Sequence, residues 1–258
     1  MNKIVVNEDN SFDINLDSQI ILKKNVENEI TELNLKFNAD TDLEIIYNNK
    51  ENKYNIIIEV EENVTAKILE IRSSQKQKIQ NKYYLKRYSN LEVIKFYDCS
   101  QIKEMDLIYL GGEYANINYT LKTISKEKQK FDIIVYHNCS NTISNIYNNG
   151  ANIKDGILDF NITSIVNNGI KGCKLNQDSR ILILNNNKCN INPNLLIEEN
   201  DVEANHSASI GTFSNEVLFY LQSRGIEYEK AINLLVRGFL TTNLNNEFIN
   251  QIINKYWR

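Results

Sequence analysis

Two histidines and four cysteines are the residues of this 258-residue chain best suited to ligate a soft metal or carry sulfur. His206 stands in the run Asp201-Val202-Glu203-Ala204-Asn205-His206-Ser207. A neutral imidazole there suits iron or zinc and switches charge near neutral pH; its plainer role is a histidine satisfied by backbone bonds at a corner. Cys189 follows Lys188 in NNNKCNINP. A neighbouring ammonium lowers a thiol pKa and would fit Cys189 as a sulfur acceptor or iron ligand, against the alternative of a buried corner cysteine. Cys173 follows Gly172 in a similar corner and is a weaker candidate, as is His137, for which a structural, hydrogen-bonded role is favoured. Cys99 and Cys139 read as core or inward-facing. The four cysteines lie far apart with no CxxC pair, which argues against a self-contained zinc site. Gly111-Gly112 belongs to neither a dinucleotide fingerprint nor a P-loop and reads as a turn.

The elements that must position these residues come in two kinds. From about Ile4 to Ile210 the chain consists of short period-two runs rich in Val, Ile, Tyr and Phe: Tyr54–Val60, Ala66–Ile71, Leu91–Tyr97, Phe131–Tyr136, Ile157–Val166 and Arg180–Leu184. Hairpin turns are sparse, which favours coils of parallel strands over a sandwich. One proline and nine glycines supply few turns, so asparagine takes their place, as in Asn148-Asn149-Gly150, Asn167-Asn168-Gly169 and Asn185-Asn186-Asn187. At Ser214 the pattern changes. Ser214 is an N-cap for a helix closed by Gly225, a second helix fits Glu227–Leu240, and a third fits Asn246–Trp257. The reading is mainly β over residues 1–213, with stacked parallel coils preferred over a sandwich, and a short all-α C-terminal domain over 214–258. That domain reads as a docking module or as a cap on the open end of the solenoid.

Composition excludes several classes. With 42% hydrophobic and 24% charged residues the chain is ordinary for a globular protein, and a net charge of −4 gives no global footprint for nucleic acid or anionic lipid. Ile4–Val6 is too short for a signal sequence, and no run reaches the ~18 apolar residues of a membrane helix, so a cytoplasmic protein without disulfides is expected.

Several segments resemble the shared core of the SufB and SufD proteins, scaffold subunits of a bacterial iron–sulfur cluster assembly machine. HNCSNTISNIYNNG (His137–Gly150) looks like that family's H-x-x-x-x-T-x-S strand, and Gly156–Leu184 like its run of coils. NPNLLIEENDVEANHSASIG, LFYLQSRGI and AINLLVRGFL look like its final strands and helices. The resemblance is strongest over Asn192–Phe239 and vague before Phe131. It implies a right-handed β-helix with a helical C-terminal domain. It also implies pairing near the C-terminal end of the β-helix and docking of a SufC-type ABC ATPase on the helices. The family's SufD-type histidine matches His206, while the cysteine two places before it in the pattern is Ala204; Gln177-Asp178-Ser179 also looks more like SufD. The chain begins within the β body, and so is read as a compact SufD or as a scaffold that pairs with itself.

The resulting expectation is a non-catalytic, SufD-like scaffold partnering a SufC-type ATPase and a SufB-like chain or a second copy as a dimer. It would hold no tight cofactor, only a transient iron–sulfur cluster at a subunit interface, with His206 and Cys189 as first candidates and Cys173 and His137 behind them. Docking is placed on Phe219, Tyr220, Arg224, Val236 and Phe239, with neither nucleic acid nor membrane as partner. Two other readings stand beside it. A carbohydrate-active β-helix enzyme would need converging carboxylates, which are scattered here. An orphan structural or binding solenoid would bury every apolar face of its terminal helices.

Overall fold

The computed structural model describes residues 2–153, 156–184, 188–242, 244 and 246–256; Asn185-Asn186-Asn187 and Trp257 lie outside them. The strands in chain order are β1 (Asn2–Val6), β2 (Phe12–Asn15), β3 (Ile20–Glu27), β4 (Ile30–Phe37), β5 (Thr41–Tyr47), β6 (Glu51–Val60), β7 (Thr65–Leu85) and β8 (Asn90–Leu110). They continue with β9 (Asn116–Ser125), β10 (Lys128–His137), β11 (Ile143–Asn152), β12 (Ile157–Val166), β13 (Cys173–Ile183), β14 (Cys189–Ile197) and β15 (Val202–Gly211). Three helices follow, α1 (Asn215–Ser223), α2 (Tyr228–Thr241) and α3 (Glu247–Asn254).

These strands wind into a parallel β-solenoid of about seven turns. One face, the front, stacks β1, β5, the first halves of β7 and β8, then β9, β11, β13 and β15. The back face stacks β4, β6, the second halves of β7 and β8, then β10, β12 and β14. Register pairs such as Thr65 with Asn90 and Asn116 with Ile143 place residues some 25 to 27 positions apart in one column. Among the described residues only the first turns are antiparallel: β1 pairs β2, and β3 pairs β4 through Asn28-Glu29, both at positive φ as a tight primed turn requires. Asparagine does supply left-handed corners, at Asn10, Asn63 and Asn141. Asn148-Asn149-Gly150, however, is no turn; it lies within β11. Gly150 is needed there because a Cβ would come 2.3 Å from Leu158 Cδ2.

The main core fills the space between the two faces, where inward positions of successive strands interdigitate. A second core lies outside the front face. Ile46, Ile71 and Phe96 form one outward row, Ile124, Ala151 and Leu182 form a second two residues further along the strands, and both are covered by Val236 and Leu240 of α2 with Ile249, Ile252 and Ile253 of α3. α2 and α3 thus fold back along the flank of the solenoid rather than capping its end. Polar ties fix them. Asn246 donates to Glu44 at 2.9 Å, Lys122 to the Thr242 carbonyl at 2.5 Å, and Tyr256 to Asp98 at 2.8 Å. The ends of the first helix are as read: the Ser214 hydroxyl accepts from Val217 N–H, and Gly225 takes φ +83°. The last coil, β14 and β15, keeps its outer edge unpaired among the described residues.

Candidate functional site: the open C-terminal end of the solenoid

β15 pairs β13 in parallel, which sets His206 beside Gln177 in the column Val93–Tyr119–Ile146–Gln177–His206. Paired residues of parallel strands share a face, and Gln177 is buried with its amide donating to Ser164 Oγ at 2.8 Å and to the Asn194 carbonyl of β14 at 3.2 Å. His206 therefore stands on the lumen side, above a polar floor, and is exposed because no further coil covers it. Ser207, on the opposite face, donates to Asp178 at 2.8 Å. Asp178 is bonded by Arg180 as well, and although burial works against its charge these bonds hold its pKa below the ordinary value.

Cys189 opens β14, half-buried, with its sulfur accepting a hydrogen bond from Asn152 Nδ2 at 2.9 Å. The expectation that Lys188 activates this thiol is not met: burial pushes the Cys189 pKa up, and the Asn152 bond offsets this only in part. Cys189 and His206 share the terminal coil but are not brought together. Gln177 places the His206 rung opposite Asn194, five residues beyond Cys189, which is roughly 16 Å of strand.

The weaker candidates are buried and bonded within the fold. His137 is buried, with Nδ1 2.7 Å from Thr142 Oγ1 and Nε2 2.9 Å from Ser144 Oγ, so both ring nitrogens are occupied. Burial lowers its pKa to about 4. Cys173 is buried against Thr142 Oγ1 at 3.3 Å. Among the described residues no three His, Cys, Asp or Glu side chains come together as a metal site.

Of the residues assigned to docking, Phe219 and Tyr220 are 73% and 56% exposed on α1, with Arg224 over the Tyr220 ring at 5.3 Å. Val217, Tyr228 and Leu234 are exposed as well. Val236 is not part of it: it is fully buried against the front face, and Phe239 packs half-buried beside it. The exposed patch counts against an orphan solenoid that buries all its helical apolar faces.

Sequence reading missed a second polar cluster, wholly inside the solenoid. Arg72 lies over the Tyr47 ring at 3.5 Å and donates to Glu70 at 2.5 Å. Lys95 contacts Glu104 and, at 2.6 Å, Asp106; Asn81 donates to both acids and Tyr119 to Asp106. Burial works against the charge on Lys95, but its acidic neighbours, Asp106 foremost, outweigh it and hold the ammonium. Burial pushes Glu104 up to about 8 despite Lys95. Among the described residues no helix is long and apolar enough to cross a membrane.

The chain matches the family described as SUF system FeS cluster assembly, SufBD core domain, over residues 1–239, and it belongs to that family. It is 30% identical over 139 residues, 54% of this chain, to the iron–sulfur cluster assembly protein SufD of Bacillus subtilis, of which it covers 32%. A 63-residue stretch, 24% of this chain, is 49% identical to a SufBD family cluster assembly protein of Mycobacterium leprae, covering 16% of it. A like stretch, 23% of this chain, is 41% identical to a SufBD family protein of Pyrococcus horikoshii, covering 14% of it. The chain spans about a third or less of the length of these relatives.

Proposed function

We propose that this SufBD family chain is a SufD-like, non-catalytic scaffold, and that its open C-terminal end is where a SufB-like chain or a second copy pairs with it. The observation that carries this reading is His206, kept on the lumen row of an uncovered last coil, above a floor of polar rather than apolar groups. An uncovered coil offers rows of unpaired backbone N–H and C=O groups, a template for a second chain. A neutral imidazole there can ligate an iron–sulfur cluster in transit, which is the cargo of the assembly and not a resident cofactor.

Cys189 lies too far along β14 to share a small cluster with His206 of the same chain, and its raised pKa disfavours the thiolate. Further ligands would come from the partner. The exposed Phe219–Tyr220 surface is the place for a SufC-type ATPase, to which nucleotide hydrolysis is assigned. Its burial would remove an apolar patch that α1 leaves in water. Nothing in this arrangement requires a compartment other than the cytoplasm.

The test is co-purification with a cognate SufC-type ATPase and SufB-like chain, followed by cluster reconstitution. His206→Ala should lower cluster yield while leaving thermal unfolding and complex formation unchanged; an unchanged yield removes His206 from the site. Phe219→Asp should abolish association with the ATPase, and retained association refutes that surface.

A further inference from the structure

The back face carries a feature that no local motif reveals. Register stacks Lys53, Lys78, Lys103 and Lys130 on four successive strands, β6, β7, β8 and β10. At ~4.8 Å between strands the row is about 14 Å long. Lys76 and Lys128 stand two residues before Lys78 and Lys130, on the same side of their strands. Like charges in register on neighbouring strands repel one another, and the chain as a whole is acidic at −4, so this row is a concentration of charge against the global balance.

Among the described residues two acids pair with the row, one at each end. Glu29 is 3.6 Å from Lys53 at one end and Asp132 is 3.2 Å from Lys130 at the other. Glu51 is register-paired with Lys76, and Glu127 is bonded by Gln101. Among the described residues Lys78 and Lys103, in the middle of the row, have no acidic group within ion-pair distance. The same lysines line a groove of about 900 Å³. At the N-terminal end of the fold its wall includes Phe12 and Val26, brought there by the antiparallel first turns.

We propose that this groove binds a phosphorylated small molecule of nucleotide size, with its phosphates along the lysine row and its flat apolar part against Phe12 and Val26. Lysine serves phosphate as a point charge, without the fixed fork that selects a carboxylate. The volume falls in the range of pockets that enclose ligands of this size. The row is closed by acids at both ends, which suits a short polyanion and does not suit a nucleic acid running across the face. The proposal is independent of the scaffold reading and concerns the opposite face and end of the solenoid from His206.

Isothermal titration of the full chain alone, with ATP in the absence of added metal, with sodium tripolyphosphate and with adenosine, tests it. ATP and tripolyphosphate should bind saturably, with ATP the tighter and adenosine giving no heat, and affinity should fall with rising salt. The double variant Lys78→Gln/Lys103→Gln removes two exposed side chains, should unfold at the same temperature as the parent, and should weaken ATP by at least about tenfold. Absence of saturable binding at about 1 mM ATP overturns the proposal, as does a double variant that binds like the parent. A single-stranded oligonucleotide that binds through the same lysines more tightly than ATP overturns the small-molecule assignment.

Discussion

Glu104 offers the sharpest test of the solenoid's interior, through the isosteric replacement Glu104→Gln. The residue is buried beside Lys95 and Asp106, with burial raising its pKa from 4.5 to about 8 against the pull of the ammonium. Below pH 4.5 the folded and unfolded states both hold the proton. As pH rises from 4.5 the unfolded chain loses it while the folded protein keeps it, so stability declines until the folded group titrates near 8. The limiting slope is about 1.4 kcal/mol per pH unit, of order 4 kcal/mol between pH 5 and 8. Glutamine is neutral throughout and removes that slope. It also places an amide where Glu104 Oε2 is buried without a partner, a pH-independent cost of about 1–3 kcal/mol. Urea unfolding of both proteins from pH 5 to 8.5 should give a difference curve that climbs with pH, the variant losing at pH 5 and drawing level or ahead by pH 8. A flat difference curve would refute the protonated Glu104. Lys95→Met is the converse case: it strips the cation from Asp106 and should cost about 3–5 kcal/mol.

His137 titrates in the opposite sense, its folded pKa of about 4 lying below the ordinary 6.5, so the stability it contributes is present above 6.5 and lost as pH falls toward 4, by about 3 kcal/mol in all. Because Glu104 runs the other way over part of this window, the imidazole proton resonances are the cleaner readout, and a His137 midpoint at 6 or above would refute its buried, doubly bonded placement. Ile252→Ala opens a void beneath α3 and should cost about 2–5 kcal/mol; urea unfolding monitored by circular dichroism reads this, and a loss under about 1 kcal/mol would mean that α3 does not share the second core.

Much of the fold was legible because period-two runs of β-branched residues fit pleated strands and nothing else, and because Ser214 and Gly225 mark a helix by their chemistry. Faces were harder to read. In Leu91–Tyr97 the inward positions are Leu91, Val93, Lys95 and Tyr97, while Ile94 and Phe96 point outward. Polarity would assign Lys95 to solvent, yet where α2 and α3 cover them the front strands are buried on both sides, so no polar side exists there to betray their orientation. The same double burial hid Glu70 and Arg72 between Ile71 and its neighbours. Val236 was misplaced for a related reason: the spacing of α2 shows that one stripe is apolar but not whether a partner or the chain's own sheet covers it. The lysine row escaped because its members lie about 25 residues apart and meet only through register.

His206 was found by its neighbours in sequence, but its meaning comes from the column in which it ends. Val93, Tyr119 and Ile146 fill the lumen with apolar surface, and the next member is Gln177, tied to Ser164 and to the Asn194 carbonyl. A solenoid that needed only to stop would continue its apolar row into a cap, since each buried apolar side chain adds about 1.5–3 kcal/mol. Here the row turns polar one coil before the end, and α2 and α3 lie along the flank, leaving β15 with β13 as its sole ladder partner among the described residues. Only Thr212, Phe213 and Ser214 separate β15 from the exposed α1. The strand that carries His206 is therefore both the least braced strand of the front face and the one joined most directly to the helix offered to a partner. A load on α1 would reach His206 before it reached the coils held by the second core.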